Sequence, residues 1–312
     1  MQYWQIVTGS FAIAWRHKYL WLLALFAGEG GESALNYSGP PPGTPASQTV
    51  PNFAAVPQQA QTWLGQHAGL VVAVTVVAIL LAVALFVLAA VCEGALVRAS
   101  AEHDADRPFS LGPAWRSGVA TMWTIIRFRL LLLALGLPAL LIVIAIIAGF
   151  VAALVNHRVG LAVVIGLIGF LVLLATLVYG IYLSFLDRLG TRAAVLELRG
   201  ATASLARGHR LLFKRLGRVL LVWLLSIAVG IVVGVSAGIV LGIVSLPALG
   251  AGLAAYSGGP PVFWAVVVVF VPILLAAGLV VGGFVVTQSS TYWTMAFRRL
   301  ELDQTPVSPS AS

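Results

Sequence analysis

The chain has 312 residues, 60% of them hydrophobic and only 9% charged, with a mean hydropathy of +1.02. Soluble domains carry roughly a quarter charged residues, so this composition excludes a fully water-exposed surface. The net charge of +8 is spread over short segments between apolar runs, which argues against nucleic acid and points to anionic lipid headgroups as the partner.

The first apolar stretch, Phe11 to Ala27, is interrupted by Arg16, His17 and Lys18. Only Tyr19 to Ala27 is free of charge, well short of the roughly 20 residues that cross a bilayer. It spans only if Arg16 and Lys18 snorkel to the interface. A basic region before a short apolar core is also the layout of a signal peptide, but Trp4, Ile6, Val7 and Phe11 make the leading part amphipathic and favour retention. Residues 28–66 follow, rich in Gly, Pro, Ser and Gln with Pro40 to Pro42 consecutive. Such a stretch cannot build a packed core and reads as an irregular external loop.

Five uncharged stretches are then long enough to cross: Gly69 to Cys92, Leu130 to Val155, Leu161 to Leu186, Val219 to Leu246 and Val262 to Gln288. Residues 303–312 read as a disordered tail. Basic residues occupy alternate connections. Arg98, Arg107, Arg116, Arg127 and Arg129 precede Leu130, Arg188 to Arg218 is densely basic, and Arg298 and Arg299 close the last stretch. The intervening connections hold only Arg158. Arg and Lys in short loops stay in the cytoplasm during insertion, so six spans would leave both termini cytoplasmic in a bacterial inner membrane.

Three stretches lead through basic residues into apolar hairpins: Ala14-Trp15-Arg16, Ala114-Trp115-Arg116-Ser117-Gly118 and Leu205-Ala206-Arg207-Gly208. In the middle one, Trp115, Val119, Met122 and Ile126 recur at helical spacing opposite Arg116 and Arg127. In the third, Leu205, Leu212, Leu216 and Val219 form one stripe and Arg207, Arg210, Lys214 and Arg218 another. Both patterns predict amphipathic helices lying in the interface, within 93–129 and 187–218, with the arginines and Lys214 against phosphate headgroups. The bland alternative is a pair of connecting helices whose charges only enforce topology.

The Ala14-Trp15-Arg16-His17-Lys18-Tyr19-Leu20-Trp21 opening, Phe109-Ser110 with Ala114 to Gly118, and the closing Thr291-Tyr292-Trp293-Thr294-Met295-Ala296-Phe297-Arg298 resemble a bacterial multi-spanning family. That family is similar to the membrane domain of glycerophosphoryl diester phosphodiesterases. The resemblance implies a six-helix membrane domain and brings no settled activity.

No spacing in the chain matches a phosphate loop, a nucleophile elbow or a Cys-x-x-Cys pair. The densest potential ligands, Glu102-His103-Asp104-Ala105-Asp106, read as a solvated polar loop without metal-site spacing. Cys92, the only cysteine, reads as a packing residue. The five long stretches contain no ionisable residue, which removes proton coupling through a buried carboxylate. Gly230, Gly234, Gly238 and Gly242 recur every fourth residue, the spacing that lets helices approach closely within a bundle or across a homodimer. Pro138 and Pro272 would kink their helices.

The expectation is therefore an all-α integral membrane protein. Residues 1–302 would form one six-helix bundle of three hairpins, each preceded by an interfacial helix, with five spans plus an N-terminal interfacial helix as the alternative. Its expected role is noncatalytic, without cofactor or metal: a scaffold binding anionic lipid or a protein partner. The rivals are a permease or channel for a small neutral or lipid-like solute, and a membrane anchor or regulator of a lipid-phosphodiester enzyme.

Overall fold

The computed structural model describes residues 3–27, 63, 66–258 and 260–302. Within them lie eight helices: α1 Tyr3–Arg16, α2 Tyr19–Phe26, α3 Ala68–Asp104, α4 Leu111–Val155, α5 Val159–Leu196, α6 Ala201–Lys214, α7 Leu216–Gly258 and α8 Pro260–Leu302. No strand occurs among the described residues. The loop expected over 28–66 lies almost wholly outside them, and the tail over 303–312 entirely so.

Five helices, α3, α4, α5, α7 and α8, are long and apolar enough to cross a membrane, and the chain is a helical multi-pass membrane protein. They are also longer than a crossing requires. The 45 residues of α4 rise about 67 Å against about 30 Å of hydrocarbon. The surplus corrects the expected interfacial helices. Residues 93–104 are the last turns of α3, and 111–129 are the first turns of α4, continuous with its span. Pro113 sits in the first turn, where a missing N–H is tolerated, and no breaker follows to separate Arg127 from Leu130. Only residues 201–214 form a separate short helix. It ends at Arg215, so the basic stripe expected to run through Arg218 is split between α6 and α7. The chain turns instead at residues of positive φ, Asp106, His157 and Leu198, the first and last followed within two residues by Pro108 and Gly200.

The first apolar stretch breaks at His17 and Lys18 into α1 and α2, of 14 and 8 residues, and neither is long enough to cross. The Trp21 indole bridges the break, donating to the Ala14 carbonyl at 2.8 Å. α2 runs beside α3, from Tyr19 against His103 to Phe26 near Leu88 and Cys92. Leu88 lies 20 residues, about 30 Å, from the start of α3.

The core lies at one end of the long helices, not in their middle. α1, the ends of α5 and α8, α6 and the start of α7 share one apolar cluster built on Leu189, Leu211, Val222 and Trp293. A second joins α2 to α3, α4 and α8 through Leu20, Leu23, Cys92, Leu96, Ala114 and Val286. Hardly any of the most apolar stretch of the five spans is buried within the chain. Lipid is as apolar as leucine, so nothing drives those stretches together. Beyond them the same helices face water and must pack. All 18 Lys and Arg except Arg158 lie at this packed end, called the basic end below.

Candidate functional site

The basic end is held by polar pairs that bracket the apolar stretches. Glu93 follows Cys92 directly and Arg129 directly precedes Leu130. α3 and α4 run antiparallel there, so the two side chains meet in an ion pair with Glu93 fully buried. Arg192 of α5, also buried, donates to the Ser290 carbonyl of α8 at 3.2 Å. Arg188, one turn before it, lies over the Trp293 ring at 5.0 Å. Ser100 meets Thr291 at 3.0 Å, Gln288 donates to Ser10 at 3.2 Å, and the Tyr292 hydroxyl donates to the Val222 carbonyl at 2.8 Å. The closing Thr291 to Arg298 motif is thus the strut on which α1, α3, α5 and α7 converge. Asp104 pairs with Arg298, so Glu102 to Asp104 are the last helical turn of α3 and not the solvated loop expected.

Of the six residues expected to meet headgroups, Arg116, Arg127, Arg210, Lys214 and Arg218 are exposed. Arg207 is committed inside the protein. It donates to Glu197 at 3.0 Å and to Glu301 at 2.9 Å, tying the end of α5 to the end of α8. Burial disfavours the Glu197 charge, but its bonds to Arg207 and Arg199 hold the carboxyl below its usual range. Glu301 is pushed up, by burial first and by Glu197 second. On α6 the buried face is Ser204, Gly208, Leu211 and Leu212. The outward face carries Arg210 and Lys214 beside Phe213, which is 57% exposed. His209 accepts or donates a 2.8 Å bond to the Tyr182 hydroxyl and lies against Phe213.

The break between α1 and α2 is anchored on α3 by two stacked imidazoles, His17 and His103, 3.6 Å between ring centroids. The Tyr19 hydroxyl reaches His103 Nε2 at 2.6 Å and donates to the Phe109 carbonyl at 3.3 Å. Burial raises the Tyr19 phenol to about 12, so it stays a donor. Both imidazoles titrate below their ordinary 6.5, through burial first, then Arg16 beside His17 and His17 beside His103. A depressed pKa means that the unfolded chain binds protons more readily than the fold. The stack's contribution is complete above pH 6.5 and is lost as pH falls below it. Melting temperature should therefore drop as the buffer goes from pH 7 to pH 5, and H17N/H103N should flatten that slope. An unchanged slope in the double variant would show that the stack does not couple to stability.

The glycines pack differently from expectation. A β-carbon on Gly230, Gly238 or Gly242 would meet nothing within 4 Å, so that face of α7 is open instead of pressed against the bundle. The close approaches are at the basic end. A β-carbon on Gly118 would collide with the Val91 carbonyl, and one on Gly94 would lie 2.5 Å from the Thr121 hydroxyl. One on Gly208 would lie 3.3 Å from the Gly190 nitrogen.

Two cavities among the described residues are mainly apolar and open toward the surroundings. The largest described, about 910 Å³, lies between α4 and α5 and is closed at one side by Trp223 of α7. Tyr179 points its hydroxyl there to the Leu135 carbonyl at 3.0 Å, which satisfies it within the hairpin. Another, of about 570 Å³, is enclosed by α2, α3 and the start of α4.

The chain belongs to a family of unknown function, DUF7544, which matches residues 11–297. No curated protein and no solved structure matches it. The match runs from within α1 to the end of the Thr291 to Phe297 strut and provides no link to phosphodiesterase membrane domains.

Proposed function

We propose that this DUF7544 member is a noncatalytic scaffold of the bacterial inner membrane that binds anionic lipid, or a protein partner, at its cytoplasmic face. The observation that carries the reading is the separation of roles along each long helix. The apolar stretches are left bare for lipid, while the basic ends are locked by ion pairs and present Arg116, Arg127, Arg210 and Lys214 outward. With all Lys and Arg but Arg158 at that end, retention of basic residues during insertion makes it cytoplasmic. The N-terminal α1 and α2 and the end of α8 both sit there, so both termini face inward in this reading.

Single cysteines at Ser38 and Ser308 in a C92A background test the orientation. An impermeant maleimide applied to intact cells should label the first and spare the second, and the reverse pattern would invert the protein. Lipid recognition is tested by the enrichment of spin-labelled phosphatidylglycerol around the reconstituted protein. R210Q/K214Q should lower it by about fivefold or more, since each cation near an anionic leaflet is worth about 1 kcal/mol. Unchanged enrichment would leave the basic face a topology signal only.

A second reading, passage of a lipid-like solute, is favoured by the 910 Å³ cleft beside Trp223. Proteoliposomes that move a fluorescent phospholipid between leaflets faster than protein-free vesicles would support it over the scaffold.

A further inference from the structure

The crevice beside α2 joins an apolar interior to a positive charge that no described carboxylate faces. Its walls are Leu22 and Phe26 of α2, Leu88 and Cys92 of α3 and Trp115 of α4, with Arg116 at the rim. Its volume, about 570 Å³, falls within the roughly 300–1,000 Å³ of small-molecule sites. One end, at Leu88 and Phe26, reaches the stretch of α3 that faces hydrocarbon. The other, at Trp115 and Arg116, lies on the water-side extension of α4, where both side chains are exposed. No carboxylate among the described residues lines it. The rim is kept low at Gly112, where a β-carbon would meet nothing within 4 Å. A ligand fitting this lining has an apolar tail and an anionic head.

We propose that the crevice holds one acyl chain of an anionic phospholipid, with the phosphate at Arg116. A phospholipid of the inner leaflet has both parts in this order, tail toward the bilayer and phosphate toward water. The exposed indole of Trp115 suits the boundary between them. The proposal rests on the reading that the basic end is the inner-leaflet face, and it adds a seated lipid to the diffuse attraction expected of α6. It also gives α2 a role: eight residues too short to cross instead supply one wall of the site.

The test uses full-length protein reconstituted in phosphatidylcholine vesicles containing a photoactivatable acyl probe, carried either on phosphatidylglycerol or on phosphatidylcholine. Adducts are mapped by peptide mass spectrometry. The phosphatidylglycerol probe should label the peptides holding Leu22 to Phe26 and Leu88 to Cys92 more than the phosphatidylcholine probe does. R116Q should remove that excess, a loss of about fivefold for one cation at an anionic leaflet. C92F, which fills the crevice, should reduce labelling by both probes. Labelling of the exposed stretch Leu167 to Leu177 of α5 should stay constant in every variant and so certifies insertion. Should C92F alter that reference, R116Q alone decides, since its side chain is exposed. Equal labelling by the two probes, labelling indifferent to R116Q, or no adduct on these peptides because residues 28–62 fill the crevice would each overturn the proposal. Enrichment governed by Arg210 and Lys214 is read separately, so failure at the crevice and failure of the scaffold reading are distinguishable.

Discussion

Gly118→Val should prevent the chain from reaching its native fold, whereas Gly238→Ala should leave it as stable as before or slightly more so. Both glycines sit inside long helices, where replacement by alanine normally gains about 0.5–1 kcal/mol of backbone entropy. The surroundings decide the sign. At Gly118 the new β-carbon meets the Val91 carbonyl and lies 3.1 Å from the Ala95 nitrogen, both backbone atoms of α3 that cannot rotate away. Overpacking of this kind costs about 1–3 kcal/mol even for a small group, and the branched valine would wedge α3 from α4 along the whole basic end. At Gly238 nothing stands within 4 Å. Melting in mild detergent, followed by fluorescence-detected size exclusion, separates the cases: loss of the monodisperse peak for the valine variant, no downward shift for the alanine. Should Gly238→Ala instead break an oligomer, the open glycine face of α7 would be a contact between copies.

Glu93→Ala should be the next most damaging substitution, destabilising the protein by about 3–5 kcal/mol, the usual result of deleting one member of a buried ion pair. Glu93 is 1% exposed and Arg129 17%, so water cannot replace the lost carboxylate. The Arg129 guanidinium, itself largely buried, would lose its partner on α3, and removing one member of such a pair costs far more than the pair contributes. A double-mutant cycle with Arg129→Ala should return a coupling of about 1–3 kcal/mol. Strict additivity would mean that the two residues act independently and that the pair does not join α3 to α4.

Both residues were visible in the sequence as the charges that end an apolar run, Glu93 after Cys92 and Arg129 before Leu130. What hid their role is that boundary charges are ordinarily read as facing water. Pairing them required knowing that α3 and α4 are antiparallel and equally extended past the bilayer. The same holds for His17 and His103, 86 positions apart, which no local pattern connects. The expected stripe of Trp115, Val119, Met122 and Ile126 did not reveal the face that joins α4 to α3. That face is Ala114, Gly118, Thr121 and Ile125, with Gly118 at the closest approach to α3, because close helix approach selects small residues at the crossing point. Among the six candidate headgroup residues, five stay outward and Arg207 turns inward, since two carboxylates distant in sequence, Glu197 and Glu301, reach it only in the fold.

By itself the sequence determined that this chain is helical, multi-pass and charge-asymmetric. Hydrocarbon thickness and the cost of burying charge set those features residue by residue. Only the tertiary structure decided where the helices hold together, which arginines are paired internally, and that Gly230, Gly238 and Gly242 of α7 face open space. Those outcomes depend on the antiparallel register of helices longer than the membrane. Inside the bilayer, packing gains nothing over lipid; outside it, water forces the basic ends into one locked core.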